Sequence, residues 1–243
     1  PMLREKPTMT DVTLLHPLYP GSLLSSGRRD RDLQYLAGGG VVDVAVIGGG
    51  ITGVGVALDA VTRGLSVALL EADDLANGTS RWSSKLVHGG LRYLAKGDPA
   101  VAWESAVERA IIAGRMAPHL VHPLAQVVPD FAEDRRSARL ALLGQRAGDG
   151  LRIAAGTPAG LLPRARHIDA DVTRRLVPGI RSTDLRGSSV GWDCQLIDDA
   201  RLVVAVARTA AAYGARILTR TRVDAIDQTG CEVSAVDTRS GQA

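Results

Sequence analysis

Three glycines, Gly48, Gly50 and Gly53, stand in the spacing G-x-G-x-x-G, directly after the apolar run Val41–Ile47 and directly before VGVALDAVTRG. That spacing can cradle a pyrophosphate. Gly48 permits a tight turn, Gly50 lets the backbone approach phosphate oxygens, and Gly53 lets the next helix pack closely on the strand, helped by Ala57. The free N–H groups near Ile51 and Thr52, at the start of that helix, face the phosphates and offset their charge. Glu71 closes the next apolar run, eighteen residues beyond Gly53. A carboxylate there accepts from ribose hydroxyls and repels a 2′-phosphate, which argues against NADP and leaves FAD or NAD.

The residues after Glu71 separate those two. Residues 78–94 read GTSRWSSKLVHGGLRYL. In an NAD fold the chain enters the next helix at once. Here a loop of Thr, Ser, Lys and Gly follows, able to run back along the nucleotide toward a flavin ring. Other chemistry-bearing pairs carry less. His119 and His122 are bracketed by Pro118 and Pro123 with no carboxylate between them, so no metal is expected. Asp198 and Asp199 precede a helix and read as N-capping rather than as an acid–base pair. Cys194 and Cys231 read as reduced thiols of a cytoplasmic protein.

The elements that position these groups follow from periodicity. Val41–Ile47 reads as a strand buried on both faces, as in a parallel sheet, and Leu65–Leu70 as the next; with the helix ending at Gly64 they form one βαβ unit. Residues 1–25, rich in Pro, Thr and Ser, are expected to be mobile. Arg28–Ala37 reads as a plain linker before Gly38–Gly40, with a short helix as the alternative. Residues 77–96 read as mostly loop. Asp98-Pro99 opens a long helix toward Met116, and residues 120–190 read as a mixture of short strands and helices. Asp199–Tyr213 is an expected helix closed by Gly214, with strands over Arg216–Thr219 and Cys231–Val236 and a hairpin turn at Thr238–Gln242. A strand and turn with no returning strand suggest a chain cut within a sheet.

Composition bounds the function. The chain has 243 residues, 45% hydrophobic and 23% charged, which fits a folded protein with a real core. Aromatics at 3% argue against a base-stacking nucleic-acid binder, and no nucleic-acid partner is expected. The net charge of +3 and pI near 9.2 come from scattered arginines, which give at most a modest attraction to phosphate or an anionic membrane. No apolar leader follows Pro1–Met2, and Val41–Leu58 is too short and too glycine-broken to span a membrane.

The segment DVAVIGGGITGVGVALDAVTRGLSVALLEADDLANGTSRWSSKLVHGGLRYL resembles FAD-dependent glycerol-3-phosphate dehydrogenases, especially bacterial ones. ERAIIAGRMAPHLV (108–121) and WDCQLIDDARLVVAVARTAAAYGA (192–215) resemble two further blocks of that family, which usually has Tyr and Gly where Trp192 and Cys194 stand. The resemblance covers about residues 28–243 and implies an α/β fold. The fold the resemblance implies is a Rossmann-like FAD-binding domain of the glutathione-reductase/D-amino-acid-oxidase type, with the start of a substrate-binding cap, and it is expected to be cut short at its C-terminus. It implies an N-terminal extension (1–37), a FAD-binding βαβ with flavin loop (38–98), a cap segment (99–190) and a return to the FAD-binding domain (191–243).

The resemblance also implies roles. Gly48, Gly49, Gly50, Ile51, Thr52, Gly53, Glu71, Ala72, Thr79, Ser80, Ser83, Ser84 and Lys85 would bind FAD, and His88, Gly89 and Gly90 would lie near the isoalloxazine. Arg92 and Tyr93 would face the substrate, and with His88 they form the expected catalytic set, without the base being assigned to His88. The expected reaction is oxidation of sn-glycerol 3-phosphate to dihydroxyacetone phosphate, with hydride passing to flavin N5 and electrons then passing to a membrane quinone. The expected place is the cytoplasm, with peripheral contact to the inner face of the membrane; oligomeric state is left open, a dimer included. The alternatives are a related flavin oxidase of another hydroxy or amino acid, and an inactive FAD-binding remnant.

Overall fold

A computed structural model describes residues 20–227, 229 and 231–241. The first elements in chain order are α1 (Ser26–Ala37), β1 (Val44–Ile47), α2 (Ile51–Thr62), β2 (Val67–Leu70), β3 (Leu86–Val87) and α3 (Leu91–Ala95). Next come α4 (Pro99–Ile111), β4 (Val121–Phe131), α5 (Arg135–Ala154), β5 (Arg166–Asp169), α6 (Ala170–Leu176) and β6 (Leu185–Leu196). The last are α7 (Asp199–Ala212), β7 (Arg216–Leu218), β8 (Thr221–Ile226) and β9 (Val233–Asp237). They form two compact units, one from Pro1–Ser83 and Asp198–Ala243, the other from Ser84–Ile197.

In the first unit β1, β2 and β7 form a parallel sheet in that order, with Val44 opposite Val67 and Ile47 opposite Leu70. Central β2 is buried at every position. β1 is not buried on both faces as expected. Only Val46 is buried and Ile47 is 50% exposed, because β1 lies at the sheet's edge among the described residues. Asp43 pins the start of the pair, its Oδ2 accepting from the Ser66 backbone N–H at 2.7 Å and its hydroxyl at 2.6 Å. Gly64, at φ +93°, takes the left-handed position that ends α2. Helices α2 and α7 meet through small side chains, Ala57 and Ala60 on one and Ala207, Ala210 and Ala211 on the other, which bring their backbones close over the sheet.

The linker expected at 28–37 is instead helix α1. Ser25 caps it, its hydroxyl accepting from the Arg28 N–H at 3.3 Å. Its anchors are cations rather than apolar residues, which is why hydrophobic periodicity hid it. Arg28 donates to the Ala211 and Ala215 carbonyls at the end of α7, at 3.0 and 2.9 Å. Buried Arg29 donates to the Thr219 carbonyl at 2.8 Å and pairs with buried Asp237 at 2.7 Å. The expectation for the N-terminal segment lies outside the described residues up to 19; Pro20–Ser22 form a 3-10 turn.

The last expected strand does have a partner. β9 pairs antiparallel with the preceding β8, Thr221 opposite Asp237 and Ile226 opposite Val233, with a bulge between Val223 and Ala225. β8 escaped the sequence reading because TRVDAI carries Arg222 and Asp224 and leaves most positions exposed. Thr238–Ser240 form the expected turn; Gln242 lies outside the described residues.

In the second unit β6 is the spine. It pairs antiparallel with β4 from Val121↔Leu196 to Phe131↔Leu185, and with β3 and β5. The short elements expected over 120–190 are thus corrected: β4 has 11 residues, α5 has 20 and β6 has 12. Pro123 and Pro129 suggested breaks, but β4 borders the sheet, where a missing N–H costs no ladder bond. Glycines 144, 148 and 150 likewise obscured α5, which Asp134 caps by accepting from the Ser137 N–H. The divisions expected at 98/99 and 190/191 both fall within this unit, the second inside unbroken β6. The expected loop at 77–96 contains a 3-10 turn at Thr79–Trp82, β3 and α3. Helix α4 begins as expected, with Asp98 capping and Pro99 first, and continues as a π turn over Ile112–Met116.

Candidate functional site

The glycine turn in the first unit is built as a phosphate cradle. Gly48 holds φ +104°, and its N–H donates to the Leu70 carbonyl at 2.8 Å, which fixes the turn to the end of β2. Gly50 is the N-cap of α2 and offers no side-chain acceptor, but the Ile51 N–H expected to face the phosphates is taken by Ser80, which leaves the N–H groups of Thr52 and Gly53 for an anion. A Cβ on Gly53 would fall on the Gly48 carbonyl oxygen, and one on Gly50 would lie 3.1 Å from the Ser80 Oγ. The Ser80 hydroxyl accepts from the Ile51 N–H at 2.9 Å, which ties the 79–82 turn to the helix start.

Glu71, at the end of β2, accepts from the Gly49 N–H at 2.6 Å through Oε2 and from the Asp73 N–H at 2.8 Å through Oε1. Each oxygen keeps a further lone pair for a hydroxyl donor. The Thr52 and Gly53 N–H groups, the close packing at Gly49 and Gly53 and a carboxylate fixed beside them fit the phosphates and ribose of an FAD adenosine half. Thr52, Ala72 and Thr79 are exposed in the same unit. Ser83 does something different: its N–H and hydroxyl donate to Asp199 Oδ2 at 3.2 and 2.7 Å. The two points where the chain leaves and re-enters the first unit are thereby joined. Asp198 caps α7 as expected, accepting from the Arg201 N–H at 3.1 Å, but Asp199 is not a cap; it is the buried anchor of Ser83.

The second unit contains a cavity of about 530 Å³, within the size range of small-molecule sites. Ser84, His88, Gly89, Arg92 and Tyr93 line it. The His88 and Tyr93 rings lie 5.9 Å apart between centroids and tilted by 49°. Lys85 is left-handed at φ +59°, and its carbonyl accepts from the Leu196 N–H at 2.7 Å, so its backbone fastens the segment to β6. The glycines of the HGG run have packing reasons for being glycine. A Cβ on Gly89 would overlap the Arg109 guanidinium, and one on Gly90 would lie 2.6 Å from the Ala102 carbonyl oxygen of α4.

The cavity also holds Trp192 and groups to which the sequence assigned no role: Arg109, Gln145, Arg152 and Asp193. Arg109 is buried and pairs with Asp193 at 2.9 Å. Its signal was its place on the small-residue face Ala102, Ala106, Arg109, Ala113 of α4 and the following turn. Buried Arg152 donates to the Thr157 carbonyl at 2.9 Å. Burial pushes the neighbouring Cys194 thiol up to about 11; the Arg109 cation opposes this and Asp193 adds to it. Cys194 is therefore a protonated core side chain and no nucleophile. Among the described residues no three His, Cys, Asp or Glu side chains cluster to hold a metal.

A strand, a glycine turn, a helix start and a carboxylate on the next strand define a dinucleotide-binding protein. Residues 43–243 match the model of the FAD dependent oxidoreductase family, and the chain belongs to that family. It is 57% identical over 221 residues to glycerol-3-phosphate dehydrogenase 1 of Mycobacterium tuberculosis, covering 90% of this chain and 42% of that protein. It is 41% identical over 194 residues to D-erythritol 1-phosphate dehydrogenase of Brucella abortus, covering 74% of this chain and 34% of that protein. The glycerol-3-phosphate dehydrogenase of Bacillus halodurans, solved with FAD, superposes with a TM-score of 0.60 at 28% identity, over 88% of this chain and 34% of that one. The chain thus spans about two-fifths of the length of the mycobacterial relative.

Proposed function

We propose that this chain serves a flavoenzyme that oxidises sn-glycerol 3-phosphate to dihydroxyacetone phosphate and passes the electrons to a membrane quinone. The observation that carries the reading is the 57% identity to a glycerol-3-phosphate dehydrogenase, which extends over 90% of the chain. FAD, when bound, supplies a hydride acceptor; the rest is binding and orientation by the protein. Gly48–Gly53 and the start of α2 hold the pyrophosphate, and Glu71 takes ribose hydroxyls. The resemblance adds Ala72, Thr79, Ser80, Ser84 and Lys85 to the nucleotide contacts, with His88, Gly89 and Gly90 near the flavin ring, whereas Ser83 holds Asp199 instead.

Arg92 and Tyr93 take the substrate. A planar guanidinium offers two parallel donors to a phosphate or polyol oxygen, and a phenol hydroxyl bonds a substrate oxygen from a fixed ring. That Arg92, Tyr93 and His88 line one cavity supports a common role. Steady-state dye reduction with full-length enzyme tests the substrate. Glycerol 3-phosphate is expected to be turned over at least about 100-fold more efficiently than glycerol, because glycerol leaves the cationic phosphate contacts unmatched. Equal rates with an amino acid or a non-phosphorylated hydroxy acid would favour the alternative flavin oxidase.

The membrane part of the reading rests on α5. Leu140, Leu143 and Ile153 are 58%, 64% and 54% exposed, and Arg136, Arg139 and Arg146 are exposed on the same helix. Exposed apolar side chains with arginines between them on one side of a helix suit the surface of an anionic bilayer. No described helix is long and apolar enough to cross a membrane. Leu140→Glu with Leu143→Glu is expected to lower co-sedimentation with anionic vesicles at least about tenfold, the unaltered chain being partly released by high salt. Unchanged sedimentation of the double variant would remove α5 from the account.

A further inference from the structure

The HGG run carries His88 and leads into Arg92; β3 before it pairs with β6 and the Gly90 carbonyl after it accepts from the Tyr93 N–H at 2.9 Å, but Gly89 between them brings no side chain of its own. What Gly89 rests on comes from α4. The Arg109 side chain is only 6% exposed, and its guanidinium lies against Gly89 so closely that a Cβ there would overlap it. Nη1 donates to Asp193 Oδ1 at 2.9 Å, and that oxygen also accepts from the Cys194 N–H at 3.0 Å. The carboxylate is thus locked to β6, the spine of the unit's sheet. Arg109 Nε is buried without a protein partner. Apolar residues of similar volume often fill such space at least as stably, so stability does not by itself account for a cation this deep.

We propose that Arg109 is a positioning residue. Held by Asp193, its planar guanidinium is the platform on which the Gly89 backbone rests, and it sets where His88 and Arg92 stand in the cavity they share with it. Gly89 is then glycine because the platform occupies the space of its side chain. This inference concerns the substrate cavity of the proposed dehydrogenase and rests on that reading for its kinetic consequence alone; the placement of His88 is read without any substrate.

The test is the double variant Arg109→Met with Asp193→Leu, which removes both charges together and leaves neither buried alone. Two measurements are made on it: the ring signals of the histidines by NMR, and kinetics of glycerol 3-phosphate oxidation in the full-length enzyme. The expected NMR result is a shifted or broadened His88 signal, with those of His119, His122 and His167 unmoved. The expected kinetic result is a fall of about 100-fold in kcat/KM, the size a misplacement of about 1 Å produces. Arg109→Lys, which keeps the charge and loses the plane, is expected to show the same His88 change and to recover less than a tenth of the lost activity. Gly89→Ala, which displaces the guanidinium without deleting it, is expected to move the same His88 signal.

A merely structural pair would move all the histidine signals together or none, and lysine would restore activity. An unmoved His88 signal in the double variant overturns the proposal. So does kcat/KM within threefold of the unaltered enzyme. If the unaltered enzyme does not oxidise glycerol 3-phosphate, the functional reading fails and the His88 signals alone decide the positioning role.

Discussion

Gly53→Ala is expected to weaken FAD binding by about 100-fold, the equivalent of roughly 3 kcal/mol of overpacking. The methyl group would land on the Gly48 carbonyl oxygen and lie 3.1 Å from the carbonyl carbon and 3.4 Å from Val46 Cγ1. A backbone oxygen has no rotamer to escape into. Either α2 withdraws from β1 or the left-handed Gly48 turn opens, and both spoil the phosphate cradle. Gly55 is the control. It lies in the same helix with open space around its Cα, so alanine there should leave FAD binding unchanged and raise helix stability by up to about 1 kcal/mol. Flavin-fluorescence titration of the two variants separates them. Equal affinities would mean that close packing at Gly53 is not what forms the site.

The other large effect is expected at Arg29. Arg29→Ala leaves the buried Asp237 carboxylate without its cation and strips the Thr219 carbonyl of a donor, at a cost of about 3–5 kcal/mol. That is a drop of roughly 10 °C in Tm for a protein of this size. The pH dependence follows from Asp237. Its carboxyl is held below its ordinary value of 3.8, chiefly by the Arg29 hydrogen bond, with burial opposing. A group whose folded pKa is depressed stabilises the fold above its unfolded pKa, and that stability is lost as pH falls through the folded value. The difference between unaltered chain and variant should therefore be full at neutral pH and shrink below about pH 4, where the lone carboxylate takes up a proton. Thermal melts across pH 3–7 check this; a difference independent of pH would mean that packing, not the ion pair, is what Arg29 supplies.

The nucleotide turn is legible in the sequence because its chemistry is local. Strand, glycine spacing, helix and Glu71 lie within one stretch of chain, and each position is constrained by sterics that any sequence must obey. Ser80 and Asp199 are harder to read. Ser80 stands in a run of expected cofactor contacts and also bonds the start of α2. Asp199 has the sequence position of a helix cap and is the anchor for Ser83, more than a hundred residues earlier. Long-range polar contacts of this kind leave no periodic trace. The same reason hides α1, which is docked by arginines onto carbonyls, and Arg109, whose partner Asp193 comes from β6. Prolines and glycines mislead over 120–190, because an edge strand and a well-capped helix both tolerate them. The HGG run reads as a flavin segment, yet its glycines are already required by α4, which the sequence alone could not show.

The most direct test of the account is the visible spectrum of the purified protein after FAD reconstitution, followed under anaerobic conditions as glycerol 3-phosphate is added. It is to be run on this chain and on a form extended at the C-terminus to the length of its relatives. A bound flavin whose band bleaches with substrate is expected in the extended form, with Gly53→Ala retaining much less of it. An extended form that binds no flavin would contradict the nucleotide site, and one that stays coloured when glycerol 3-phosphate is added would contradict the proposed reaction.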